Sequence, residues 1–427
     1  MKNFFISDID NITPGKEVHV KGWAQDIRLM KNIAFIIVRD STGLVQATVK
    51  RDCPDFHKLE TLSRESVVEI TGTVPEKVQS NIGREILVTS IELINMAEVP
   101  LPIGITDNVE TDMDTRFNSR FLDLRKPEIG RIFQAKSAIL WGIRNFLMSQ
   151  GFTEVQTPKT VSAATEGGAE LFHVKYFEKN IFLNQSPQLY KEMLVASGVE
   201  RVFEVGPAFR AEEHNTPRHL NEFTSIDIEM GFADHHDAMH MLENAIAKGI
   251  SNFLENVRDA ASFSVVKEKP VTPFPRVSYL ECIKILKGEG YPAVHGEDLN
   301  NEALKIIGKK FDGFYFITDW PTSVRPFYTA LLDNNPEYTK SYDLQFREIE
   351  ITSGAQRVHN PAELKRRIED KGLDSDDFEF YLRTFKYGMP PHAGWGLGLE
   401  RLVQVILGLP NIREASLFPR DRNRVFP

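Results

Sequence analysis

The pattern of this chain points to an α+β protein built as a small closed β-barrel followed by a larger antiparallel β-sheet flanked by helices. Three observations lead there. Residues 1–98 are β-rich, with apolar and polar side chains alternating along short runs. Helical spacing of apolar residues sets in only after Lys126. Beyond that point strand-like runs are separated by both short hairpins and long insertions, the mark of an antiparallel sheet rather than of regular βαβ units.

In the first part, residues 17–23 (EVHVKGW) and 67–72 alternate, while 34–38 is a continuous apolar strand. Ser41, Thr42 and Gly43 turn 33–40 into 44–50 as a hairpin. Five short strands in under a hundred residues suggest a barrel such as an OB-fold, with Trp23 assigned to its core. Residues 99–126 are punctuated by Pro100 and Pro102 and continue as TDNVETDMDTRFNSR, which reads as a linker and hinge. The division is therefore 1–98, 99–126 and 127–427. Over 128–150, Ile132, Ala135, Ile139, Ile143, Phe146 and Leu147 fall at helical spacing, and Gly151 stops the helix. Strands are expected around 152–157, 181–184, 201–209, 223–232, 342–351 and 394–398, with helices at 236–256, 361–371 and 398–408.

Composition narrows the function classes. With 51 Lys and Arg against 60 Asp and Glu the net charge is −9, and 41% hydrophobic with 26% charged residues is ordinary globular usage. Collagen-like, disordered and disulfide-stapled chains are excluded. Cys53 and Cys282 are too few for a disulfide framework or a CxxC metal site, which points to a reducing compartment. The start MKNFFISDIDNIT lacks a basic region followed by an apolar run, and no stretch reaches 18 uninterrupted apolar residues. A cytoplasmic protein without membrane contact is expected. The acidic balance argues against a surface coated in basic residues but leaves room for a local basic groove.

Three segments carry chemistry. In 201–232 (RVFEVGPAFRAEEHNTPRHLNEFTSIDIEMGF) two strand-like runs flank a charged loop. Phe223, Ser225, Asp227 and Glu229 alternate with Thr224, Ile226, Ile228 and Met230, so one face is apolar and the other bears carboxylates and a ring. Such alternation is usually a solvated face. Here Arg210, Glu212, His214, Arg218 and His219 crowd beside it, and Arg offers planar bidentate donors to polyphosphate. In 343–357 (DLQFREIEITSGAQR), Glu350 and Ser353 are hard oxygen donors suited to Mg²⁺ on a nucleotide, though a Glu pairing with a nearby Arg explains Glu350 equally well. In 388–401 (GMPPHAGWGLGLER), Gly394, Gly396 and Gly398 allow close backbone approach and the following helix offers its N-terminus to anions. This is neither a Rossmann nor a Walker loop, and no HExxH or GxSxG occurs. The grouping of Asp234, His235 and His236 reads as a helix start rather than a zinc site. The RDRNR run at 420–424 is either a solvated terminus or a nucleic-acid contact.

Taken together, FRAE followed by RHLNEF and then GLGLER resembles motifs 2 and 3 of class II aminoacyl-tRNA synthetases, and the helix ending in GFTEVQTPK resembles motif 1, the dimer element of that class. The motifs occur in order across 128–427, and a barrel in front of them is similar to subclass IIb, the aspartyl, asparaginyl and lysyl enzymes. Within it, TEGGAELF (165–172), QSPQLYK (185–191), GAQR and LFPRDRNR resemble the archaeal-type aspartyl enzymes. An asparaginyl enzyme has no reason to set Lys191 against a neutral amide, whereas a buried aspartate carboxylate requires a cation.

The resemblance implies roles. Lys191 and Arg357 hold the side-chain carboxylate of L-aspartate, and Glu166, Gln188 and Asp227 its ammonium, with Leu189, Tyr190, Arg210 and Ser353 in the same subsite. Arg210 sits on the α-phosphate of ATP, and Phe223 and Arg401 sandwich the adenine, with Arg401 also near the γ-phosphate. Ala211, Glu212, Arg218, His219, Leu220, Gly398, Leu399 and Glu400 complete the nucleotide pocket. Glu350 and Ser353 ligate Mg²⁺, so Arg210, Glu350 and Arg401 form the catalytic set. The barrel reads the anticodon, with Phe35 stacking on a base beside Arg28, Gln46 and Glu85, although Phe35 alone would be assigned to the barrel core. The expected partners are tRNA(Asp) and a second copy of the chain. Selective relatives carry a Trp and a Lys where this chain has Gln25 and the 78–83 region, which leans toward charging tRNA(Asn) as well. The rivals are an asparaginyl enzyme or an asparagine synthetase paralogue, against which Lys191 stands, and a non-catalytic tRNA-binding protein, against which Arg210, Glu350 and Arg401 stand.

Overall fold

A computed structural model describes residues 2–106, 109–162, 170–213 and 216–427. The chain divides into two compact units, Met1–Asp123 and Leu124–Pro427.

The first unit is a closed barrel of β1 (Glu17–Leu29), β2 (Ile33–Asp40), β3 (Gly43–Lys50), β4 (Val67–Thr73) and β5 (Glu85–Asn95), in the order β1-β2-β3-β5-β4. Period-two alternation puts Val18, Val20, Ala24, Ala34, Ile36, Val38 and their neighbours inside. The expectation for Trp23 is corrected here. In β1 the inward positions are 18, 20, 22 and 24, so Trp23 falls on the outer side and is only half-buried. Gly22 takes the inward place because a Cβ there would collide with the Arg39 carbonyl of β2. The segment read as a linker carries two short helices, α1 (Met113–Asn118) and α2 (Arg120–Asp123). Asp112 caps the first by accepting from the Thr115 amide, and Arg120 and Asp123, both fully buried, form an ion pair.

In the second unit the helix expected at 128–150 is α3 (Pro127–Ser149), which opens on a proline at its first position. Then come β6 (Thr153–Glu154), a small sheet of β7 (Thr160–Val161), β8 (His173–Tyr176) and β9 (Lys179–Leu183), and α4 (Gln188–Ala196). The long hairpin β10 (Arg201–Phe209) and β11 (Glu222–Gly231) precedes α5 (His235–Asn256). An inserted stretch holds β12 (Arg276–Ser278), α6 (Tyr279–Gly288), α7 (Asn301–Gly308) and β13 (Phe314–Thr318), followed by the pair β14 (Leu331–Leu332) and β15 (Asn335–Thr339). The chain closes with β16 (Ser341–Phe346), β17 (Ile349–Gln356), α8 (Pro361–Asp370), α9 (Glu379–Lys386), β18 (His392–Gly398) and α10 (Leu399–Leu407).

The main sheet has eight strands in the order β12-β13-β16-β17-β18-β11-β10-β6, parallel only at its two edge pairs. One face packs on α3, α5 and α10 through Ile139, Ile143, Ile246, Ile250, Leu402 and Ile406 against Ile226, Ile228 and Trp395. That burial sends the alternate residues of β11, the polar set from Phe223 to Glu229, to the opposite face. The single strand expected at 342–351 is corrected to the hairpin β16–β17, which turns at Arg347 with φ 52°. Asp234 caps α5 with a reciprocal capping box, which accounts for the Asp234–His235–His236 grouping. No helix among the described residues is long and apolar enough to cross a membrane.

Candidate active site

The polar face of the sheet floors a cavity of about 340 Å³. Five arginines line it, Arg210, Arg218, Arg325, Arg357 and Arg401, against four carboxylates, Glu212, Asp227, Glu350 and Glu400. Three motifs distant in sequence meet there because β11 pairs with β18, and β18 with β17, setting Asp227 opposite Gly396 and Gly396 opposite Ser353.

One half of the cavity is arginine-rich. Arg401, on the first turn of α10, donates to the main-chain carbonyls of Glu350 (3.0 Å) and Arg218 (3.3 Å). Burial, opposed by Glu350 and reinforced by Arg210, lowers its pKa. Arg218 donates to Asn301 (3.0 Å) and to the Glu348 carbonyl (3.4 Å). The Arg210 guanidinium stands 5.4 Å from the centre of the Phe223 ring, a cation–π contact that fixes the ring as a platform. His219 lies 3.4 Å from Glu212.

Glu350 is half-buried on β17, and burial together with the Asp343 carboxylate pushes it up to about 7, against the pull of Arg401 and Arg325. Asp343 faces Ser353 across the β16–β17 ladder and pairs with Arg325, which also donates to Ser353 Oγ (3.1 Å). The sequence reading passed over Arg325, which lies in none of the three segments, and within 343–357 it singled out Glu350 and Ser353 but not Asp343, the residue that opens the segment. Among the described residues no three His, Cys, Asp or Glu side chains are grouped to hold a metal alone. Two carboxylates and a hydroxyl instead suit Mg²⁺, which keeps water and phosphate oxygens in its shell.

The other half is closed by buried ion pairs. Lys191, 3% exposed, donates to Asp227 Oδ1 (3.0 Å) and to the Trp395 carbonyl (3.2 Å), and lies 3.5 Å from Glu229 Oε2. Arg357 grips Glu229 through Nε (3.0 Å) and Nη2 (3.3 Å). Burial alone would lower the Arg357 pKa, but Glu229 and Glu192 more than offset it, so the guanidinium is held firmly charged. Glu229, fully buried, is thus the hub of both cations. The alternation of β11 shows it on the polar face, but its tie to Arg357 spans 128 residues and leaves no local trace.

Other expected residues fall as follows. Gln188, Arg210, Glu212, Arg218, His219, Leu220, Phe223, Asp227, Glu350, Ser353, Arg357, Gly398, Glu400 and Arg401 all line the cavity. Lys191 stands one layer behind the wall, against Asp227. Leu189 and Leu399 are core residues, in the clusters around Tyr381 and Trp395, and Tyr190 and Ala211 are not in the lining either. Glu400 lines the cavity, yet its carboxylate is engaged by Lys136 of α3 (2.6 Å) and the Thr224 amide (2.9 Å). Gly394, expected to admit a ligand, instead makes room for the Glu229 side chain, which a Cβ would strike. Glu166 and His214 lie outside the described residues.

On the barrel, Phe35 is half-buried and points away from Ala34 and Ile36, which are core. The ladders set Arg28 opposite Phe35, Phe35 opposite Thr48, and Gln46 opposite Glu85. Glu85 is buried and anchored by Thr48 Oγ1 (2.6 Å) and the Gln79 amide (2.7 Å). The four expected residues therefore share one outer face.

Residues 112–422 match the family of tRNA synthetases class II (D, K and N), and residues 18–94 match the OB-fold nucleic acid binding domain. The chain belongs to the class II tRNA synthetases. This synthetase is 56% identical to the aspartate–tRNA(Asp) ligase of Thermoplasma acidophilum, with 100% of both chains covered. It is 49% identical to the aspartate–tRNA(Asp/Asn) ligase of Methanocorpusculum labreanum, over 98% of this chain and 99% of that one. Among solved structures, the asparaginyl-tRNA synthetase of Pyrococcus horikoshii with asparaginyl-adenylate superposes with a TM-score of 0.94 at 33% identity, covering 100% of each chain. The aspartyl tRNA synthetase of Entamoeba histolytica gives 0.87 at 34% identity, covering 100% and 93%.

Proposed function

We propose that this synthetase is an aspartate–tRNA ligase, which activates L-aspartate with ATP to aspartyl-adenylate and transfers the aspartyl group to the 3′ end of tRNA(Asp). The observation that carries the reading is Arg357. Its Nε and Nη2 are fixed on Glu229, which leaves Nη1 as the end without a protein hydrogen bond among the described residues, on a side chain that lines the cavity. A charged fork held in place at a cavity wall suits a carboxylate and gives no advantage with a neutral amide. Lys191, behind Asp227, adds a second buried cation.

The nucleotide takes the arginine-rich half. Arg210 stabilises negative charge on the α-phosphate as the aspartate carboxylate attacks in line, with Phe223 and Arg401 on either side of the adenine. Arg218 and His219 serve the outer phosphates. Glu350 and Ser353, with Asp343 beside them, would hold Mg²⁺, which neutralises the pyrophosphate as it leaves. Adenylate formation uses the substrate's own carboxylate as nucleophile, in keeping with the missing GxSxG motif.

The barrel reads the anticodon by stacking a base on Phe35, flanked by Arg28, Gln46 and Glu85. The relatives at 56% identity are named for tRNA(Asp) alone and support that substrate. Charging of tRNA(Asn) is the second reading, supported by Gln25 and by the relatives at 49% identity and below that are named for both. A homodimer through α3 is supported by Trp141 and Met148, large apolar residues of that helix that are 59% and 60% exposed.

The test is ATP–pyrophosphate exchange with aspartate and with asparagine, followed by charging of tRNA(Asp) and tRNA(Asn) transcripts. Exchange with aspartate alone is expected. Exchange with asparagine, or with neither, would overturn the reading.

A further inference from the structure

Glu192 is fully buried on α4, one helical turn after Gln188, and belongs to no part of the cavity wall. Its Oε1 accepts from Gln188 Nε2 (2.7 Å). Its Oε2 lies 2.7 Å from the Tyr381 hydroxyl of α9 and 2.9 Å from His392 Nε2 of β18. Burial would push the Glu192 carboxyl up, but His392, Arg357 and Gln188 outweigh it, so the group is held below its usual range as a carboxylate. Three elements, α4, α9 and β18, thus converge on one buried anion, and among the described residues Gln188 is the cavity-lining side chain that hydrogen-bonds to it.

A glutamine side chain has two N–H donors on nitrogen and an oxygen that only accepts. The Gln188 nitrogen faces Glu192 at 2.7 Å and Glu229 Oε2 at 3.5 Å, so both of its donors are directed at buried carboxylates behind the wall. Turning the amide over would set its oxygen against the Glu192 oxygen at hydrogen-bond distance with no proton between them. The oxygen is therefore the end that Gln188 presents to the cavity, beside Asp227. An acceptor next to a carboxylate recognises a primary ammonium.

We propose that Glu192 is a positioning residue for amino-acid selection, fixing the Gln188 amide so that its oxygen meets the α-ammonium of the substrate. The inference rests on the aspartate–tRNA ligase reading. It gives Glu192 a hydrogen bond on the amine side only; toward the side-chain subsite Glu192 acts through its charge near Arg357, a guanidinium that Glu229 grips directly and keeps charged when Glu192 is replaced.

The experiment compares aspartate with succinate, which keeps both carboxylates and lacks the amine. In the full-length enzyme, Glu192→Leu is expected to raise the KM for aspartate in pyrophosphate exchange about tenfold, the loss of one hydrogen bond to a charged group. The kcat and the KM for ATP should stay within about twofold, and inhibition by succinate should be unchanged, since no amine is there to lose. Because leucine strands Tyr381 and His392, Glu192→Gln is measured beside it. It keeps the shape, no longer dictates the amide orientation, and should raise the aspartate KM about threefold with succinate again unchanged. Equal weakening of aspartate and succinate, a fall in kcat at constant KM, or an unaltered KM in Glu192→Gln would overturn the proposal. Wild-type enzyme without aspartate-dependent exchange would overturn the functional reading and this inference together. Wild-type exchange with indifferent variants would overturn this inference alone.

Discussion

The two halves of the cavity use cations in opposite ways. On the arginine-rich side, Arg401 and Arg218 hydrogen-bond chiefly to main-chain carbonyls, which orient a guanidinium without cancelling its charge. On the side closed by ion pairs, Lys191 and Arg357 each meet a buried carboxylate at about hydrogen-bond distance. The first arrangement is an electrostatic trap that any polyphosphate would satisfy. The second is nearly neutral before a substrate arrives, so it discriminates by the direction of the remaining donors and acceptors. A site that must accept one nucleotide and reject nineteen other amino acids gains from that division.

The largest expected effect tests the paired side. Arg357→Leu leaves Glu229 buried and missing its bidentate partner, which should cost about 3–5 kcal/mol of stability. Thermal unfolding should show it together with loss of aspartate-dependent exchange, and an unchanged Tm would mean the pairing is not structural. Arg401→Ala should separate from it cleanly, lowering kcat for exchange about 10²–10³-fold while barely moving Tm, as expected for a charge that stabilises the reacting phosphates. A Tm loss as large as that of Arg357→Leu would erase the contrast between the halves. Phe35→Ala extends the comparison to the barrel. It should raise the KM for tRNA by about tenfold, the value of one stacked base, and leave exchange untouched. Equal loss of exchange and charging would return Phe35 to a packing role. The smallest effect is ionic: between 50 and 300 mM KCl the KM for ATP should rise by more than that for aspartate, because screening weakens exposed charge more than buried pairs.

Much of this could be read from the sequence, and the misses have physical causes. The alternation in β11 identified the cavity face, and the spacing in α3 identified its buried stripe, because both patterns are local and one-sided. The hairpin at 341–356 read as one strand because its turn is made by Arg347 in a left-handed conformation, with no glycine or proline to announce it. The helices at Met113–Asn118 and Arg120–Asp123 were hidden by their own charges, since a buried Arg120–Asp123 pair looks in sequence like a solvated run. Glu192 was omitted, and Glu229 was placed on the polar face without its tie to Arg357. The partners that bury and charge them, Arg357 for Glu229 and Tyr381 and His392 for Glu192, lie more than a hundred residues away, so the short Gln188–Glu192 spacing carried no signal by itself.

Glu400 has a consequence of a mechanical kind. One of its oxygens holds Lys136 in the middle of α3, and the other holds the Thr224 amide directly after Phe223. The ring on which a purine would rest is thus braced from the far side of the sheet, by a strut that runs through the first turn of α10 into the helix whose outer surface shows Trp141. A displacement of α3 is therefore transmitted through Lys136 and Glu400 to the strand that seats the purine.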